Sequence, residues 1–162
     1  MARRRFLSYI LAVLVMAGCA ATAGGSPAPS PLDLAAVTNA LQRAGIAVGV
    51  VTGSLNPRDG AWRCLSGSFR LARVEQQPPA AMARPGDRPS VDILLFSSAA
   101  ERATAQASIG VDGQVHAAGC GTMVDWVVTP HIVGAGNVLL FIATDDPVAL
   151  AEVQAAAAHL GG

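Results

Sequence analysis

Residues 122–144 read Thr-Met-Val-Asp-Trp-Val-Val-Thr-Pro-His-Ile-Val-Gly-Ala-Gly-Asn-Val-Leu-Leu-Phe-Ile-Ala-Thr. Two runs rich in β-branched and apolar residues, Thr122–Thr129 and Val138–Thr144, flank Gly134-Ala135-Gly136-Asn137. Glycine and asparagine tolerate the positive φ that tight turns require, so this stretch predicts an antiparallel hairpin. Upstream, Leu65–Val74 alternates: Leu65, Gly67, Phe69 and Leu71 share one face, and Ser66, Ser68 and Arg70 the other. That is the signature of a half-buried strand. Val91–Phe96 is mostly apolar on both faces and predicts another strand, and Ile46–Val51 predicts a buried one. A short strand is expected near Gln114–Ala117. Asn56-Pro57-Arg58-Asp59-Gly60 is turn chemistry, and Gln76–Pro89, with four prolines, reads as a loop.

Three helices carry end signals. Ser30 can cap the first, with Pro31 in its first turn and Asp33 closing a capping box; Leu34, Val37 and Leu41 fall on one face and Gly45 stops it. Ser98-Ala99-Ala100-Glu101 is a second capping box, opening an alanine-rich helix to about Ile109 before Gly110. Asp145 or Asp146 caps the third, with Pro147 at its start and Gly161 at its end. Capping accounts for that carboxylate pair. Strand runs joined by short turns predict an α+β fold: an antiparallel sheet of about five to six strands with three helices packed on one face. A doubly wound βαβ sheet needs more helices than the sequence offers.

The N-terminus reads differently. Arg3-Arg4-Arg5 precede an apolar run, Phe6–Ala17, and then Gly18-Cys19. This is the layout of a secretory signal peptide over residues 1–18, and the run is short for a bilayer span of about 20 residues. Val15-Met16-Ala17-Gly18-Cys19 resembles the lipobox of bacterial lipoproteins, which implies a diacylglycerol on the Cys19 thiol. Two or three acyl chains anchor stably where one binds only marginally. Ordinary cleavage after Ala21-Thr22-Ala23 is the competing reading, and an uncleaved anchor a third. Arg3-Arg4-Arg5-Phe6-Leu7 also resembles the twin-arginine export motif, although the Leu- and Val-rich run suits general secretion better. Residues 19–30 are rich in Gly, Ser, Pro and Ala and read as a tether; residues 31–162 make one domain.

Without the leader, eleven acidic residues face eight arginines, and lysine is absent. A charge near −3 gives no electrostatic footprint for nucleic acid. Five aromatics remain: Trp62, Phe69, Phe96, Trp126 and Phe141. Cys64 and Cys120 are an even pair in an oxidising compartment, so a disulfide is expected. A zinc site at Cys120 and His116 lacks the ligand number and spacing that a closed site needs. No P-loop, nucleophile elbow, EF-hand or zincin motif occurs, and Gly134-x-Gly136 lacks a third glycine, so neither a cofactor nor a metal is expected. The densest polar cluster is Asp125-Trp126 and His131, the candidate ligand-binding residues.

Val124–His131, Gly136–Leu140 and Asp145–Val148 resemble the C-terminal half of a family of small uncharacterised bacterial lipoproteins, in a W-V-x-T-P-H strand end, an apolar strand and an acidic-capped helix. The pattern differs at Ile132-Val133, where aromatics are expected. The resemblance implies a fold and no activity. The expectation is therefore a lipid-anchored, exported protein outside the cytoplasm, a non-catalytic binding or accessory module of the cell envelope with a protein or small-molecule partner. The alternative is an envelope hydrolase using Asp125 and His131 with a nucleophile that the sequence does not identify.

Overall fold

The computed structural model describes residues 30–57, 60–76, 90–117, 119–120 and 125–161. The signal peptide, Cys19, most of the tether, the proline-rich loop and Thr122–Val124 lie outside the described residues.

Five strands, β1 (Val48–Leu55), β2 (Phe69–Gln76), β3 (Ser90–Phe96), β4 (Pro130–Ala135) and β5 (Val138–Ala143), form one sheet in the order β1-β2-β3-β5-β4. Every pairing is antiparallel. Three helices, α1 (Leu34–Arg43), α2 (Ala99–Ala107) and α3 (Pro147–Leu160), complete an α+β fold. The expected class is the one observed.

Side-chain alternation separates two cores. Val91, Ile93 and Leu95 of β3 and Val138, Leu140 and Ile142 of β5 meet Val37 and Leu41 of α1 and Val153 and Ala156 of α3. Leu94, Phe96, Leu139 and Phe141 point the other way, to Trp62, Cys64 and Ala105 of α2. Placing all the helices on one face thus holds for α1 and α3, while α2 packs on the opposite face. Both faces of β3 are mostly apolar, Leu94 and Phe96 on one and Val91, Ile93 and Leu95 on the other, and such a central strand needs cover above and below. The Cys64–Cys120 disulfide, with Cα atoms 5.8 Å apart, supplies part of that second cover.

Helix ends follow the cap chemistry with small shifts. Asp33, not Ser30, caps α1, its carboxylate accepting from the Ala36 N–H at 2.8 Å. Ser98 caps α2 by accepting from Glu101 N–H, and Glu101 reaches back to Ser97. The helix stops at Ala107, leaving Ile109 to bridge Val115; the strand expected at Gln114–Ala117 reduces to isolated bridges. Asp146 caps α3, Pro147 takes its first position and Gly161 its end.

Three further strand expectations are corrected. The strand expected over Leu65–Val74 is shifted, β2 starting at Phe69 with Leu65–Ser68 outside it. The first hairpin arm is Pro130–Ala135 rather than Thr122–Thr129, and Gly136-Asn137 alone make the turn. Gly136, at φ +51°, supplies the left-handed first position of a two-residue hairpin loop. Proline, which has no N–H to give a ladder, sits at the first residue of this edge strand. The other edge is β1, displaced to Val48–Leu55 and exposed along most of its length. β-branching in this run favours the pleat without deciding burial, and only Ile46, just before the strand, enters the core.

Candidate functional site

Consecutive registers place one row of residues across the sheet: Thr52 on β1, Arg73 on β2, Asp92 on β3, Phe141 on β5 and Ile132 on β4. Asp92 is only 5 % exposed although, apart from Ser90, the rest of its strand is apolar. A buried carboxylate is costly unless its oxygens are bonded, and here both are. Arg73 Nε donates to Oδ1 at 2.6 Å and Nη2 to Oδ2 at 3.1 Å. Trp62 Nε1 donates to the same Oδ2 at 3.0 Å. The hydrogen bond to Asp92 holds the Arg73 guanidinium above its ordinary pKa, with Asp92 and Glu75 adding attraction against partial burial.

Trp62 comes from a single 3-10 turn, Gly60–Trp62, between β1 and β2. Its carbonyl accepts from the Leu65 N–H at 3.0 Å, and Cys64, two residues on, is tied to Cys120. The turn is thereby clamped over the sheet. Trp62 meets Phe141 edge-on at 4.9 Å, and Trp126 lies on the same ring at 4.7 Å. These groups border a cleft of about 420 Å³, with Leu55, Leu71, Ser90 and Ala143 completing its walls. That volume falls in the range of small-molecule sites, roughly 300–1,000 Å³. Its floor is a fixed ion pair and its wall is aromatic.

Of the residues singled out from the sequence, Trp126 lines this cleft. Asp125 is exposed, and the His131 Nε2 atom lies 3.0 Å from the carbonyl of Thr144, the residue that follows β5. Neither is among the residues that line the cleft. Cys64 and Cys120 pair as expected. Asp145 accepts from the Thr129 N–H at 3.0 Å, while its neighbour Asp146 caps α3. His116 Nε2 stands 3.4 Å from Asp112 on an exposed loop, and among the described residues no three His, Cys, Asp or Glu side chains gather as a metal site.

Sequence reasoning missed Arg73, Asp92 and Trp62. Two signals were present. Asp92 interrupts an apolar run, and a lone carboxylate there demands a cation. Continuing the alternation Phe69, Leu71 puts Arg73 on the apolar face, facing that carboxylate's strand. The contribution of Trp62, from a turn distant in sequence, had no local signal. The chain matches no family model, no curated protein and no solved structure.

Proposed function

We propose that this chain is an exported lipoprotein, lipidated at Cys19 and tethered through residues 19–30. Its domain is then a non-catalytic binding module of the cell envelope. The lipobox at the end of the apolar run supports the address, as does the resemblance to small bacterial lipoproteins. The observation that carries the binding role is the cleft over Arg73 and Asp92. Both oxygens of Asp92 are taken by Arg73 and Trp62, and the Arg73 guanidinium, held above its ordinary pKa by that carboxylate, keeps its proton throughout the physiological range. Such a floor suits fixing a ligand rather than moving protons.

The placement of the ends agrees with this reading. Leu32, near the tether, is held at the β4–β5 turn by Asn137. Ser90 and Ala143, on the cleft, are the first residue of β3 and the last of β5, at the far ends of those strands. With Leu32 at one end of the sheet and the cleft at the other, an anchor ahead of Leu32 would leave the cleft open to the envelope. No helix among the described residues is long and apolar enough to cross a membrane.

Metabolic labelling with a clickable fatty-acid analogue tests the anchor. Label on the wild type and none on Cys19→Ser is expected; an unlabelled wild type with a mature start at Gly24 overturns it. Ligand-dependent stabilisation of the domain tests the binding role, since a ligand that binds only the folded state must raise its melting temperature.

A further inference from the structure

The cleft also constrains what it holds. Asp92 has both oxygens occupied by Arg73 and Trp62. Arg73 has five N–H donors and uses two of them on Asp92. Its side chain is 45 % exposed and lines the cleft, and three of its N–H donors are not spent on Asp92. A donor held this way asks the ligand for an acceptor, and the bidentate pair fixes its plane beforehand. Net charge decides what kind of acceptor. Asp92 by itself balances the guanidinium, and Glu75, two residues along β2 and paired with the cleft residue Ser90, adds a second carboxylate nearby. An anion would have to compete with Asp92 for the guanidinium and meet the field of Glu75. A cation would be pushed away by Arg73 and would find the oxygens of Asp92 already taken. Beside the pair, the rings of Phe141 and Trp126 and the side chains of Leu55 and Leu71 give an apolar wall, with the uncharged polar residues Asn56 and Ser90 at its border.

We infer that the cleft binds an uncharged small molecule with a flat ring and an acceptor oxygen, the ring against Phe141 and Trp126 and the oxygen on Arg73. This rests on the binding-module reading above and adds the ligand class to it.

Benzamide, benzoate and benzamidine share one shape and differ in charge, so they separate the classes. The chain has only two tryptophans, Trp62 and Trp126, and both line the cleft. Their indole N–H signals in a ¹⁵N-labelled full-length chain report occupancy directly. Benzamide is expected to shift both signals at a concentration about tenfold below either charged analogue. Arg73→Lys, which keeps the charge and loses the fork, is expected to weaken benzamide about tenfold, the scale of one hydrogen bond to a charged group. Ala143→Leu, which leaves the ion pair intact and fills the cleft, is expected to abolish the shifts. Preference for benzoate or benzamidine overturns the ligand class and leaves the binding role standing. Unchanged benzamide affinity in Arg73→Lys overturns the role given to the guanidinium. Silence of both indoles toward all three probes removes the cleft as a site and the binding reading with it.

Discussion

Arg73 and Asp92 stand directly opposite each other on β2 and β3, and the guanidinium grips the carboxylate through Nε–Oδ1 at 2.6 Å and Nη2–Oδ2 at 3.1 Å. The two partners differ in burial: the Arg73 side chain is 45 % exposed and that of Asp92 only 7 %. Their removal should therefore be unequal.

Arg73→Met strands a buried carboxylate with Trp62 as its remaining donor, and losing one partner of a buried pair costs about 3 kcal/mol or more. Asp92→Asn leaves a guanidinium that water already reaches, so the loss falls nearer the worth of the hydrogen bonds, about 1–2 kcal/mol. Urea denaturation of the two variants measures the order. A larger loss in Asp92→Asn would contradict the burial argument.

Much of this architecture was legible in the sequence, and the pair shows where legibility ends. Cap residues such as Ser98 and Asp146 announce themselves because a helix terminus has local hydrogen-bond needs that a single side chain meets. Val91–Phe96 announced a strand mostly apolar on both faces, although the helices were expected on one face only, and the disulfide followed from an even cysteine pair. The hairpin arm was misplaced because Trp126-Val127-Val128 has strand composition, yet strand pairing starts only at Pro130. Trp126 instead lies on Phe141, a contact decided by tertiary packing that no propensity encodes. The cleft depends on the β2–β3 register and on a turn clamped by Cys120, both long-range, so its residues were visible as oddities and not as a site.

The disulfide carries a second prediction. It closes a loop of 57 residues, counting both cysteines, worth about 4 kcal/mol in the chain-entropy view. It also fixes the segment that presents Trp62. Reduction, or the double change Cys64→Ser and Cys120→Ser, should lower stability by roughly that amount and increase solvent quenching of tryptophan fluorescence. A reduced protein with unchanged melting temperature and unchanged quenching would show that apolar packing alone holds the turn.

Asn137 predicts how the N-terminal segment is secured. It is buried at the hairpin turn, accepts from the Leu32 N–H at 2.7 Å, and donates to the carbonyls of Leu32 and Phe96 at 3.1 and 2.8 Å. Asn137→Ala leaves these groups unmatched and should cost about 2–4 kcal/mol. Asn137→Asp keeps the acceptor but sets a charge against two carbonyl oxygens, and should be worse still. Limited proteolysis ahead of Leu34 should speed up in both. Equal protection of the alanine variant and the wild type would mean that Leu32 is held by packing alone.

Asp145 supplies a pH dependence with a definite sign. The hydroxyl and the backbone N–H of Thr129 donate to its carboxylate, with weaker attraction from His131, and together they hold its pKa below the ordinary aspartate value. A depressed folded-state pKa means that protonation favours the unfolded chain. The stabilisation is thus complete above about pH 4, where the unfolded carboxyl is ionised, and fades as pH falls through the lower folded value. Asp145→Asn cannot ionise, so the melting-temperature gap between wild type and variant should be flat from neutral pH down to about pH 4 and shrink below it. Asp112, whose pKa is also lowered, by the Gln114 N–H, is present in both proteins and cancels from the gap. A gap that stayed constant or widened in acid would show that the Thr129 contacts do not favour the ionised carboxylate, and that the link between β5 and the start of β4 is held by packing instead.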